Sequence, residues 1–287
     1  MSLRIITFCV ENLKMIKMIA VDMDGTFLDE KGTYDYGRFE KVIEKLEDKK
    51  ILFVVATGNQ ISRMRYVFGE QTDRLAYVTG NGSHVIVNKK TQAFKHFSFE
   101  QVSHFFDYYN DMFKDFHIVI SSPEESYMLK DAYINDNLKD KESLDYYNRS
   151  FPGVHLVNKI DDIPKENLNK ITMKTPPKVN KSVVSDFREE FPDLSPVVSG
   201  FGAIDILSKG IDKGWGLKQI MKSFNINSEE FMAFGDGDND LEMLKLAKYS
   251  YAMENASQNI KDAANFLAPS HRDNGVLQVI ENYLNNL

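Results

Sequence analysis

Met18-Ile19-Ala20-Val21-Asp22-Met23-Asp24-Gly25-Thr26 reads as a buried strand running into a loop that carries two carboxylates. The apolar run Met18–Val21 supplies the strand, and Gly25 ends it. Side chains two apart on a strand point to the same side, so Asp22 and Asp24 are expected to converge. Two like charges held together at a strand end are costly without a cation or another positive partner. The stretch therefore predicts a nucleophile, a proton-transfer group and a metal ligand gathered at one point.

Strand and helix signals alternate outward from this stretch. Tyr36, Phe39, Val42, Ile43 and Leu46 recur at helical spacing, Ile51–Ala56 is an apolar strand-like run, Ile61–Phe68 reads as a helix and Leu75–Thr79 as a strand. The end of the chain repeats the pattern, with strands expected at Ala203–Leu207, Phe231–Phe234 and Tyr249–Ala252. Helices are expected at Gly214–Phe224, around Leu241–Ala247, around Ile260–Ala264 and at Val276–Leu284. Such alternation implies right-handed crossovers and a parallel sheet. Both ends are read as parts of one doubly wound α/β layer, a Rossmann-like core of residues 1–84 and 200–287.

Residues 85–199 differ. Short strand signals at Val85–Val87, His117–Ser121, Tyr127–Leu129 and Ile171–Lys174 mix with helical ones at Gln101–Phe113, Asp131–Leu144 and Val179–Glu190. Pro164, Pro176, Pro177, Pro192 and Pro196 punctuate the second half. This part is read as an inserted α+β domain.

Three more clusters follow predicted strands or open predicted helices, where open α/β sheets bind ligands. Ala56-Thr57-Gly58-Asn59 offers a hydroxyl, a glycine amide and a helix start, an anion cradle in company with the other clusters, while the stretch taken alone reads as an ordinary cap and turn. Lys213 precedes a helix that Asp212 is placed to cap, and its interest comes only from its company. Gly235-Asp236-Gly237-Asp238-Asn239-Asp240 is an oxygen-rich loop suited to Mg²⁺. A Ca²⁺-binding EF-hand does not fit, because Leu241 stands where glycine is required and Ala247 where the bidentate Glu belongs. Together the four clusters supply what phosphoryl transfer needs: an in-line nucleophile, neutralised oxygens and a proton for the leaving group.

Composition narrows the partners. The chain has 287 residues, 43% of them hydrophobic, which suits two domains of an ordinary globular protein. A net charge of −7 without a dense Lys/Arg block argues against nucleic acid. No apolar run spans a bilayer, and no signal peptide is expected. The single cysteine, Cys9, excludes an internal disulfide and fits a reducing cytoplasm. Met1-Ser2-Leu3 reads as a tag scar, with natural initiation expected at Met15 or Met18.

The four clusters resemble the motifs of the haloacid dehalogenase superfamily: Asp22-Met23-Asp24-Gly25-Thr26, Thr57-Gly58, Lys213, and Gly235-Asp236 with Asn239-Asp240. Only 33 positions separate Asp24 from Thr57, whereas 156 separate Thr57 from Lys213, so the insertion falls between the second and third motifs. That resembles the C2-capped, Cof-type sugar and metabolite phosphatases, as does the turn Asn81-Gly82-Ser83. Many relatives have Arg after Thr-Gly, where this chain has Asn59-Gln60, which resembles a sugar-phosphatase subgroup. Asn59 cannot clamp a second anion bidentately.

The resemblance implies that Asp22 attacks phosphorus and that Asp24 acts as acid and then base. It implies Mg²⁺ on an Asp22 oxygen, the Asp24 carbonyl and Asp236, with Asn239 and Asp240 behind them. Lys213 would hold Asp22 and the phosphate; Thr57, Gly58 and Asn59 would line the phosphoryl site. The expected substrate is a small phosphorylated metabolite, with sugar phosphates favoured. A phosphomutase and a non-catalytic metal- or nucleotide-binding module are the alternatives; no phosphate-binding glycine loop supports the latter. Substrate identity and oligomeric state stay open at this point.

Overall fold

The structure, a computed structural model, describes residues 15–113, 115–134, 151, 153–174, 180–198 and 203–287. Cys9, the start of the chain, Pro176, Pro177 and all but the first four residues of the helix expected over Asp131–Leu144 lie outside the described residues.

In chain order the strands are β1 (Met18–Val21), β2 (Leu52–Ala56), β3 (Ala76–Thr79), β4 (His84–Val87), β5 (Lys90–Phe94), β6 (Val119–Ser121) and β7 (Ser126–Leu129). They continue with β8 (His155–Val157), β9 (Lys170–Lys174), β10 (Leu194–Val198), β11 (Ala203–Ser208), β12 (Phe231–Gly235), β13 (Tyr249–Met253) and β14 (Phe266–Ala268). They form two sheets, ordered 14-13-12-1-2-3-4-5 and 10-11-9-6-7-8.

In the first sheet β1 lies between β2 and β12, parallel to both. The chain works outward through β2 and β3 on one side, and through β12, β13 and β14 on the other. Its direction thus reverses between β1 and β12, and such a switch opens a crevice at the carboxyl ends of the strands.

Alternate residues of β1 serve opposite faces. Ile19 and Val21 join an apolar cluster with Phe39, Val42 and Ile43 of the helix Tyr36–Asp48 and with Val276 and Ile280 of the helix Gly275–Asn285. Met18 and Ala20 join a second cluster with Leu217 and Ile220 of the helix Lys213–Phe224. Both faces are covered, so the strands can be apolar throughout, as parallel sheets require. The doubly wound α/β core is therefore present as expected.

The second sheet has apolar residues on one face, where Ile171, Met173, Ile204 and Ile206 pack on Phe105 of the helix Phe99–Tyr109 and Phe187 of the helix Asn180–Glu190.

Several elements differ from the sequence reading. The hairpin β4–β5 extends the first sheet in antiparallel fashion past residue 84. Ala203–Ser208, expected in the core layer, is paired antiparallel with β9 and β10 in the second sheet. Its Ile204 and Ile206 face the inserted unit's apolar cluster, which an apolar run cannot reveal by itself. β10 carries Pro196, read as punctuation; the strand lies at the sheet edge, where a proline costs no ladder bond. The short strands β8 and β14 carry no legible signal.

Candidate active site

Four loops meet at the carboxyl edge of the first sheet. Asp22 follows β1, Thr57 follows β2, the turn Gly80–Ser83 follows β3 and Asp236 follows β12. Lys213 opens its helix after Asp212, whose carboxylate caps the Trp215 N–H at 2.7 Å. That cap fixes where the helix starts and hence where Lys213 points.

Lys213 is fully buried, and its Nζ donates to Asp22 Oδ1 at 2.5 Å and to Asp240 Oδ1 at 2.6 Å. The other oxygen of Asp240 accepts the backbone N–H groups of Asp236 and Gly237, both at 3.0 Å. Asp240 thus braces the acidic loop and the lysine together. Thr26 donates to Asp236 Oδ1 at 2.7 Å. Gly25 adopts φ +85°, and a Cβ there would run into the Asp236 carboxylate, so only glycine lets the two loops close up.

Asp24 departs from expectation. Its side chain is about half exposed and lies outside the cluster formed by Asp22, Asp236 and Asp240, and Arg63 grips it through both Nη atoms at 2.8 and 3.1 Å. Asn59 donates to Asp24 Oδ2 at 2.8 Å and accepts from Arg63 at 2.6 Å. The strand has already ended at Val21. Residues 23–28 form a tight turn in which the Met23 carbonyl takes the N–H groups of Thr26, Phe27 and Leu28, so the two-residue strand rule no longer applies.

Thr57 is buried, and its hydroxyl accepts the Asn59 N–H at 3.1 Å. The Gly58 carbonyl takes a hydrogen bond from Lys170 of β9, at 2.8 Å. Asn239 donates to Asn81 at 3.0 Å, while Asp238 accepts from Asn259 at 2.7 Å.

Burial, then the neighbouring Asp240, push the Asp22 carboxyl well above the ordinary range, although Lys213 pulls the other way. Burial and Asp240 likewise push Asp236 up to about 6. For Lys213, burial opposes the charge, but Asp22 and Asp240 outweigh it and raise its pKa.

Carboxylate oxygens of Asp22, Asp236 and Asp240 all lie within 4.8 Å of one another. Asp240 is fully used by Lys213 and two amides, which leaves Asp22 and Asp236 as the side chains free to bind a cation. Their raised pKa values express burial first and repulsion by Asp240 second, and a bound cation would offset both. An all-oxygen donor set of this kind fits Mg²⁺.

Sequence reasoning missed Arg63, Lys170 and Asp205, and named Asn81 only as part of a turn. Arg63 had one usable signal: it lies four residues after Asn59, in the first turn of the next helix, so it can reach the place that Asn59 cannot fill. The other three are brought in by long-range pairing.

A family model described as haloacid dehalogenase-like hydrolase matches residues 19–280. The chain is 34% identical over 270 residues to the 5-amino-6-(5-phospho-D-ribitylamino)uracil phosphatase YbjI of Escherichia coli, covering 94% of this chain and 96% of that one. A Bacillus subtilis relative, YcsE, bears the same activity name and is 26% identical over 94% of this chain and 96% of its own length. Among solved structures, SMU.1108c from Streptococcus mutans superposes with a TM-score of 0.85 at 37% identity, covering 94% of this chain and 99% of that one.

Proposed function

The chain belongs to the haloacid dehalogenase-like hydrolases, and from that premise we propose how it acts as a phosphatase on phosphorylated small metabolites. Asp22 is the nucleophile. One of its oxygens attacks phosphorus in line as the bond to the leaving oxygen breaks, forming an aspartyl-phosphate. Asp24 gives its proton to the leaving alkoxide. The Asp24 carboxylate then takes a proton from water as that water attacks phosphorus, releasing phosphate and restoring Asp22.

Lys213 holds Asp22 and neutralises the phosphoryl oxygens; Thr57 and the Gly58 amide cradle those oxygens. Asp22, the Asp24 carbonyl and Asp236 would hold Mg²⁺, which supplies charge neutralisation when bound. Asn239 and Asp240 keep the acidic loop in place. Arg63 and Asn59 hold Asp24 between turns of the cycle. The inserted unit, carrying the second sheet, acts as a cap over the crevice. The cytoplasm is the setting we assign, on the single cysteine.

The observation that carries this reading is the buried Asp22–Lys213 pair beside Asp236 at the strand switch. For substrate, we favour a phosphate monoester at the end of a sugar or polyol chain. The phosphoribityl group named in two relatives' activities supports this.

Phosphate release from a chromogenic monoester should require Mg²⁺ and disappear in Asp22→Asn. Full activity in that variant would remove Asp22 as the nucleophile. A panel of phosphorylated metabolites, including sugar phosphates and 5-amino-6-(5-phospho-D-ribitylamino)uracil, then tests the substrate class. Movement of phosphate between positions on one sugar, with none released, would instead mark a mutase.

A further inference from the structure

One path of hydrogen bonds, closed by a single ion pair, leaves the acidic loop, crosses into the second sheet and returns to the phosphoryl loop. Asn239 donates to Asn81 at 3.0 Å, and Asn81 donates to Asp205 of β11 at 2.8 Å. Thr172 of β9 donates to the other Asp205 oxygen at 2.7 Å, and Lys170 lies 3.6 Å from that oxygen. Lys170 then donates back across the junction to the Gly58 carbonyl at 2.8 Å.

The path follows from strand periodicity. Thr172 and Asp205 are register partners, and Lys170 lies two residues from Thr172 on the same face of β9. Ile171, Met173, Ile204 and Ile206 fill the opposite, apolar face. Asn81, Lys170, Thr172 and Asp205 are all buried; Lys170 and Lys213 are the lysines so buried among the described residues.

Asn81 is the hub on the first-sheet side. It sits at φ +52°, a left-handed conformation that asparagine tolerates, and its backbone N–H is bonded to the Thr57 carbonyl at 3.0 Å. Its amide lies so close over Gly58 that a Cβ there would stand 3.1 Å from it. The next residue, Gly82, is pressed against the Asp212 carbonyl beside Lys213. Asn81 therefore touches the Thr57–Gly58 loop and the acidic loop, and its own turn abuts the residue before Lys213.

We propose that Asn81, Asp205 and Lys170 are positioning residues that couple docking of the second sheet to assembly of the phosphoryl-binding loops. When the sheets part, Asp205 loses Asn81, Asn81 loses the partner that orients its amide toward Asn239, and Gly58 loses Lys170. Each of these groups can be rehydrated, so a polar junction can reopen every turnover where an apolar one would stay shut. The coupling rests on the reading of Thr57 and Gly58 as the phosphoryl cradle.

Two measurements on Asp205→Ala and Asp205→Asn test it. The first is steady-state hydrolysis of p-nitrophenyl phosphate with Mg²⁺. The second is hydrogen–deuterium exchange in peptides covering residues 78–84 and 168–174. The alanine variant should lose about tenfold to a hundredfold in kcat, as small misplacements at reacting centres do, with KM changed less than about threefold. Exchange should quicken in both peptides. The asparagine variant keeps an acceptor for Asn81 and should recover most of both effects.

Lys170→Met, which leaves Asp205 with Asn81 and Thr172, should also lower kcat, and it serves if Asp205→Ala fails to fold. Unchanged exchange, or faster exchange with kcat intact, overturns the coupling. If the wild-type protein releases phosphate from no monoester, the phosphatase reading fails. The exchange result then decides alone: quickening in both peptides upholds the coupling, and quickening in one or neither overturns it.

Discussion

Lys213, itself without accessible surface, holds the Asp22 carboxylate at 2.5 Å, so the acid and its counter-ion form one buried unit. Asp240 is the third member, at 2.6 Å. The acid-rich side of the unit carries more negative charge than the single ammonium offsets.

That imbalance gives two substitutions opposite effects on stability. Lys213→Met leaves two buried carboxylates without their cation and should cost about 3–5 kcal/mol, read from the denaturant midpoint. Asp22→Asn removes one of the repelling charges and should leave the midpoint unchanged or raised. Both should abolish turnover. A stable Lys213→Met protein would show that the three side chains do not act as one structural unit.

Arg63→Gln should release Asp24 from its two-pronged grip. Hydrogen bonds to charged groups are worth about 1.5–3 kcal/mol, so turnover of a monoester should fall about tenfold to a hundredfold. Arg63→Lys should restore little of it, because an ammonium cannot match the fork geometry. Steady-state kinetics on the three proteins decide the matter, and equal activity in all three would remove Arg63 from the cycle.

The pH dependence of the metal-free protein has a defined sign. Asp22 and Asp236 are both raised by burial and by Asp240, Asp236 from 3.8 to about 6. A carboxyl raised on folding adds stability that is complete below its unfolded value and lost as pH rises through the folded one. Without divalent ions, the melting temperature should therefore fall as pH rises from near 4 to above 6. The increment given by Mg²⁺ should be larger at pH 7.5 than at pH 5, where protons compete for the same oxygens. Calorimetric melts at the two pH values, with and without Mg²⁺, check both signs.

Gly25→Ala should weaken Mg²⁺ binding by at least about tenfold, the range expected when a ligand's supporting contacts are disturbed. The added methyl meets the Asp236 carboxylate and a backbone at φ +85°. Titration calorimetry reads the loss, and an unaltered affinity would place Asp236 outside the cation site.

The sequence was most informative where chemistry and strand ends coincide. Asp22, Lys213, Asp236 and Asp240 were all legible, because an alternating α/β chain gathers the carboxylates and lysines at its strand ends into one crevice. The orientation of Asp24 was not legible, since it depends on where the strand yields to the Met23–Leu28 turn. Lys170 and Asp205 were hidden by their surroundings. Asp205 is a single charge in an apolar run and Lys170 opens a strand of mixed polar and apolar residues, and only the antiparallel pairing of β9 with β11 shows that both share one face. The membership of Ala203–Ser208 failed on the same ground: a strand's partner is a property of register rather than of its own residues.

Because the loops of the candidate site belong to the first sheet, while the second sheet meets them through the polar anchors Lys170 and Asp205, the roof is exchangeable in principle. An altered insert need only resupply those anchors to keep the catalytic floor in register. Diversification of such a protein can then proceed by remodelling overhead, with the machinery beneath inherited intact.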